Sequence, residues 1–197
     1  SPRASGRRPT FPGRTERAIT LDLLAAHGAD GAADGERLLN RMFAELVALS
    51  RADAERMREL GKALPGAAEV LAVLAGRGDI VQSLVTGNLP ELASAKLEPF
   101  GFERHVDLDI GGYGSLSERR SDLVVAAMNL ASGKHGREFP PTSVVVIGDT
   151  PADISAALHH GAVSIGVATG QHSVDDLLAA GAHAVFEDLS DTEAVIS

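Results

Sequence analysis

The sequence predicts an α/β protein built on a parallel, doubly wound sheet, with a small all-helical segment beside it. Three observations carry this. Past Pro65-Gly66, short apolar runs alternate with stretches of helical periodicity, the βαβα order that produces a parallel, right-handed sheet. The run Val144-Val145-Val146-Ile147 offers no solvated face at every second position, as expected of a strand covered on both sides. From Thr15 to about Lys62, by contrast, the spacing is helical throughout and no strand is foreseen.

At 197 residues, 44% of them hydrophobic, the chain is long enough for one generous domain with a real core and a small insert. Its net charge of −9 argues against a nucleic-acid partner, because a phosphate backbone needs a basic surface. A small phosphorylated metabolite remains compatible, since one local cation offsets the global field. The absence of cysteine removes disulfides and thiolate chemistry. Without a long apolar run or the apolar core of a signal peptide, no membrane is expected, and a soluble cytoplasmic protein is.

In chain order, residues 1–14 read as a polar, basic, proline-interrupted arm and linker. Residues 15–62 form the helical segment, with Ile19, Leu23 and Leu24 on one face and Leu38, Leu39, Met42, Phe43, Leu46 and Leu49 on the next. Gly28, Gly31 and Gly35 fall between helices, and Leu60-Gly61 at an end. Residues 63–197 form the α/β core. Its expected elements are a helix over Ala67–Ala75, a strand over Asp79–Val85 and a helix over Leu89–Phe100 that Pro90-Glu91 opens. A strand over Val106–Ile110, a glycine-rich loop at Gly111-Gly112-Tyr113-Gly114 and a helix over Ser121–Ser132 follow, then a polar connection over 133–142. After the valine run come a helix from Pro151, strand Val163–Val167, helix Val174–Ala180 and strand Ala184–Phe186.

Three strand or helix tips carry chemistry. In Gly148-Asp149-Thr150-Pro151-Ala152-Asp153 the glycine turns the chain as the strand ends, and two carboxylates four residues apart meet at its tip. They read either as helix caps or as ligands of a hard cation such as Mg²⁺. The Thr86 hydroxyl with the amides of Gly87 and Asn88 makes a cradle for an anionic oxygen, or else an ordinary turn and cap. Arg119-Arg120 opens a helix, where the dipole disfavours a cation, so either a fixed anion holds one of them or both are solvated.

The order of these signals resembles the haloacid-dehalogenase-like (HAD) hydrolases, in their phosphoglycolate-phosphatase-like branch. Thr86 in Val85-Thr86-Gly87-Asn88 matches the second motif, Arg120 in Arg120-Ser121-Asp122-Leu123-Val124 the basic third, and Gly148–Asp153 the fourth. The resemblance implies a Rossmann-like core with residues 15–62 as a helical cap. It implies a Mg²⁺-dependent phosphatase that hydrolyses a small phosphate monoester through an aspartyl-phosphate. Catalytic positions would be Thr86, Arg120, Asp149 and Asp153. Thr86, Gly87, Asn88, Arg120 and Arg14 would touch substrate, and Asp149 and Asp153 the metal. The alternative is a non-catalytic module that binds a phosphorylated ligand.

One family feature does not match. The first motif, a strand ending in Asp-x-Asp, should precede the cap, and nothing before Phe11 reads as a strand. That strand lies in mid-sheet, between the strands ending at Thr86 and Asp149. The expectation is therefore a further N-terminal strand that carries the nucleophile, without which the sheet is parted and residues 1–197 are inactive.

Overall fold

The computed structural model describes residues 13–29 and 32–197; the arm over residues 1–12 and Gly31 lie outside the described residues. Helices α1 (Glu16–Ala26), α2 (Ala32–Ala52) and α3 (Ala54–Leu60) come first. Thr15, fully buried, caps α1 by accepting the Ala18 N–H at 3.2 Å, and Gly28 ends it at φ +71°. Gly35, expected between helices, lies inside α2, whose length absorbs a cost of about 1 kcal/mol relative to alanine. Leu39 of α2 is fully buried, whereas Leu49, expected on the packed face, is exposed.

The α/β part begins with α4 (Ala67–Ala75), β1 (Val85–Thr86) and α5 (Pro90–Leu97). The strand expected over Asp79–Val85 shrinks to its last residue plus Thr86. Upstream of it the chain still runs beside its neighbour, with the Gln82 and Leu84 carbonyls accepting from Asp107 and Gly112 N–H at 2.8 Å each. The strand expected over Val106–Ile110 is instead a 3-10 turn at Leu108–Ile110, because the Asp107 carboxylate accepts the Asp109 N–H at 3.1 Å and curls the chain. Pairing moves to β2 (Gly112–Tyr113), inside the expected loop. A side chain at Gly112 would collide with the Leu123 carbonyl, so glycine is what lets this strand lie against the next helix. That helix, α6 (Arg120–His135), runs three residues past its expected end.

Next come β3 (Val145–Gly148), α7 (Pro151–His159), β4 (Val163–Val167), α8 (Val174–Ala179), β5 (Ala184–Phe186) and α9 (Thr192–Ile196). All pairs are parallel, in two groups: β1 with β2, and β3 with β4 with β5. The architecture is α/β of the Rossmann type. Among the described residues nothing pairs with the edge of β1 away from β2 or with that of β3 away from β4.

Helix α6 joins the two groups. It packs on β1, β2 and α7, and its Val124 shares a core with Val146, Ala156, Ala157 and Ala162, against which Val85 is packed. The valine run departs from expectation here. Val146 is buried, but Val145 and Ile147 are 52% and 41% exposed, so one face of β3 is bare. Alternate strand residues point to opposite faces, and the described elements cover one of them. No described helix is long and apolar enough to cross a membrane.

Candidate active site

The three motif segments converge where strands end. At the tip of β1, the Thr86 Oγ1 accepts the Asn88 N–H at 3.2 Å and the Asn88 amide Nδ2 at 2.9 Å, while Lys96 Nζ donates to Asn88 Oδ1 at 2.9 Å. This leaves the hydroxyl proton of Thr86 and the N–H of Gly87 to face an anion. Two glycines allow the close approach. A side chain at Gly87 would collide with the Arg14 carbonyl, and one at Gly114 with the Gly87 carbonyl. The tip is tied to the helical segment through main chain: Glu16 N–H donates to the Gly87 carbonyl at 2.8 Å and Arg17 N–H to the Gly114 carbonyl at 3.0 Å.

Arg120, first residue of α6, is 18% exposed in its side chain, with Nε 2.6 Å from Asp153 Oδ1 and Nη2 donating to the Val85 carbonyl at 3.5 Å. The Nε–H is not aimed at the carboxylate and forms no hydrogen bond, so the contact is one of charge. Arg119 lies outside, pairing with Asp122 at 3.1 Å and 79% exposed. The helix start thus presents one arginine to the site and the other to solvent.

Asp153 is 5% exposed and fully engaged. Its Oδ2 accepts the Thr150 N–H at 3.1 Å and the Thr150 hydroxyl at 2.8 Å, and Thr150 in turn caps α7 as the other half of a capping box. The carboxylate folds back over Gly148, where any side chain would strike it. The spacing Gly-Asp-x-x-x-Asp has this packing as its local cause. Asp149, by contrast, is exposed and lies against Gly170, where a side chain would collide with Oδ2. Its carboxylate has no hydrogen-bond partner among the described residues.

Thr86, Gly87, Asn88, Arg120 and Arg14 line one cavity of about 520 Å³, roofed by Ile19, Thr20 and Leu23 of α1 and Met42 and Leu46 of α2. Arg14 is held there by Asp22 at 2.7 Å and by the Ala18 carbonyl at 3.3 Å. Asp153 adjoins the cavity through Arg120, and Asp149 is not among its lining. Sequence reasoning missed Glu16, which also lines the cavity. Burial pushes its carboxyl above the ordinary range, and Lys96 partly opposes this. Its signal was present in the spacing Glu16, Ile19, Thr20, Leu23, one face of a helix, but an acid in a first turn reads as dipole compensation.

A parallel α/β sheet here gathers a hydroxyl-bearing turn, a half-buried arginine and two acids at the carboxyl ends of its strands, where open α/β sheets bind ligands. The chain belongs to the haloacid dehalogenase-like hydrolases, whose family model matches residues 3–158. Solved structures agree on the fold. A hydrolase from Pseudomonas syringae superposes with a TM-score of 0.62 at 24% identity, over 94% of this chain and 78% of that one. For a β-phosphoglucomutase from Clostridium difficile the TM-score is 0.61 at 13% identity, over 93% and 79%. A predicted phosphatase from Clostridium acetobutylicum gives 0.53 at 24% identity, over 66% and 58%. No curated protein matches the chain.

Membership of this family implies a divalent metal. The described residues do not by themselves fit one. They contain no group of three or more His, Asp or Glu able to hold a metal ion; of the two aspartates in the Gly148–Asp153 turn, Asp153 is committed to Arg120 and Thr150 and Asp149 keeps a free carboxylate. A hard divalent cation takes about six oxygen ligands.

Proposed function

We propose that the chain is the cradle and cap of a phosphatase acting on a small phosphate monoester through an aspartyl-phosphate, with residues 15–62 as the cap over a core at 63–197. The observation that carries this is the convergence of Thr86, Gly87 and Arg120 on one cavity beneath α1 and α2. The hydroxyl and amide would hold phosphoryl oxygens. The Arg120 guanidinium, close to Asp153 but with its Nε–H free, would offset the charge that gathers on them.

The edges of β1 and β3 that no described residue pairs support a second part of the reading. A parallel strand seated there pairs two bare edges at once, and its carboxyl end emerges between Thr86 and Asp149. The nucleophilic aspartate belongs at that end, together with the acidic oxygens that complete a Mg²⁺ site around Asp149. Asp153 would then orient Arg120 and order the α7 turn, with any metal contact made through water.

The test is hydrolysis of an aryl phosphate by protein in which these edges of β1 and β3 are paired by a strand ending in aspartate, with and without EDTA. Turnover that needs metal supports the enzyme. Phosphate binding without metal-dependent turnover overturns it in favour of a module that binds a phosphorylated ligand. One observation favours that second reading for residues 1–197 alone: among the described residues no aspartate lines the cavity.

A further inference from the structure

The roof of the cavity says what the phosphate is attached to. Ile19 and Leu23 are four residues apart on α1, and Met42 and Leu46 four apart on α2, so each helix presents a two-residue apolar stripe to the same space. A volume of about 520 Å³ lies within the range of pockets that take a small organic ligand. Within this apolar wall stands Glu16. Its own N–H is bound to the Gly87 carbonyl, which sets the residue directly beside the cradle.

The other charged groups here have partners. Arg14 holds Asp22, Arg120 holds Asp153, and Lys96 donates to Asn88. The Glu16 carboxylate is half-buried and accepts no hydrogen bond among the described residues; Lys96, already bonded to Asn88, acts on it only as a nearby charge. A desolvated acceptor is unfavourable until a donor reaches it, and a second anion brought beside it is repelled.

Resting on the phosphatase reading, we propose that Glu16 selects the alcohol half of the substrate: a phosphomonoester with an apolar carbon body and a hydroxyl or ammonium donor that reaches Glu16, in place of a carboxylate. Esters of short hydroxy acids are disfavoured by the same group. Glu16 is a specificity-determining residue that touches the leaving alcohol and leaves the phosphoryl group to the cradle.

Binding tests this without requiring turnover. Calorimetric titration of the full chain with inorganic phosphate establishes the cradle. Three matched esters follow: butyl phosphate, 4-aminobutyl phosphate and 3-carboxypropyl phosphate. The amino ester is expected to bind about tenfold more tightly than the carboxy ester, the scale of one charge-assisted hydrogen bond. In Glu16→Gln the two should approach parity, and in Glu16→Lys the order should reverse, with circular dichroism confirming the fold of each. Equal binding of the three esters, or a preference unmoved by both variants, overturns the assignment of Glu16 while leaving the phosphatase reading intact. Failure of phosphate and all esters to bind overturns that reading and this inference with it.

Discussion

Arg120 and Arg119 are neighbours in sequence with opposite consequences. Removing Arg120 leaves Asp153, 5% exposed, as a buried charge with only its Thr150 contacts. Arg120→Ala should therefore destabilise by about 3 kcal/mol in urea unfolding, and Arg120→Lys should recover part of it. Arg119→Ala removes only a solvent-facing pair and should be indistinguishable from the parent in the same assay. The sequence could place a cation at this helix start. Only the register of the helix over β1 decides which of the two turns inward. A second prediction at this scale concerns Asp107, held below the usual carboxylate range first by its hydrogen bond from Lys134, while the same bond raises Lys134. A depressed acid stabilises above its unfolded value and loses that contribution as pH falls through its folded one. A raised lysine does so below its unfolded value, and loses it as pH rises. The stability gap between parent and Asp107→Asn should thus be flat from about pH 5 to about pH 9 and narrow outside that range. A gap that widens below pH 4 in urea titrations would contradict the pairing.

Elements differ in how far local pattern determines them. Helix α7 was readable because its start is written locally: Thr150, Pro151 and Asp153 form a cap that needs no distant partner. Strand β2 was not, because its cause is the Leu123 carbonyl eleven residues on, which admits only glycine at position 112. The end of α6 was missed for a similar reason. Gly133 reads as a breaker, yet it lies within the last turns of a helix whose inner face is held by Leu123, Val124 and Ala131. It is exposed, and a side chain there meets nothing within 4 Å. Gly133→Ala should accordingly stabilise the protein by about 0.5–1 kcal/mol, whereas Gly112→Ala should destabilise it by at least 1 kcal/mol, both from thermal or urea unfolding.

Across the whole molecule, the alternation of apolar runs and helical stretches made the parallel α/β class legible, and the order of Thr86 and Arg120 pointed to the cavity they line, whereas Asp149 lies outside that lining. Exposure was not: four β-branched residues promise two covered faces, and β3 has one. Glu16 and the apolar roof also stayed hidden, since they become a site only once α1 and α2 lie over β1. The parted sheet has a dynamic consequence. Among the described residues, β4 is paired on both sides and every other strand on one. Native-state hydrogen exchange should find the β4 amides slowest, and those of β1 and β2, with two paired residues each, faster. Equal protection across both groups would mean that the seam is closed in solution.

The tie between α1 and the strand tips is made entirely of peptide groups. Glu16 and Arg17 donate their N–H bonds to carbonyls of two glycines, and among the described residues no side-chain hydrogen bond joins α1 to those tips. Such a fastening is blind to the identity of the residues that carry it. The roof can therefore exchange its side chains freely, acquiring new preferences for the alcohol, without coming unhinged from the cradle below. The same bonds consume the first free amides of α1, so the positive end of that helix is already spoken for. The cradle must draw its pull on an anion from β1 and α6, and the roof is left free to be a reader of shape.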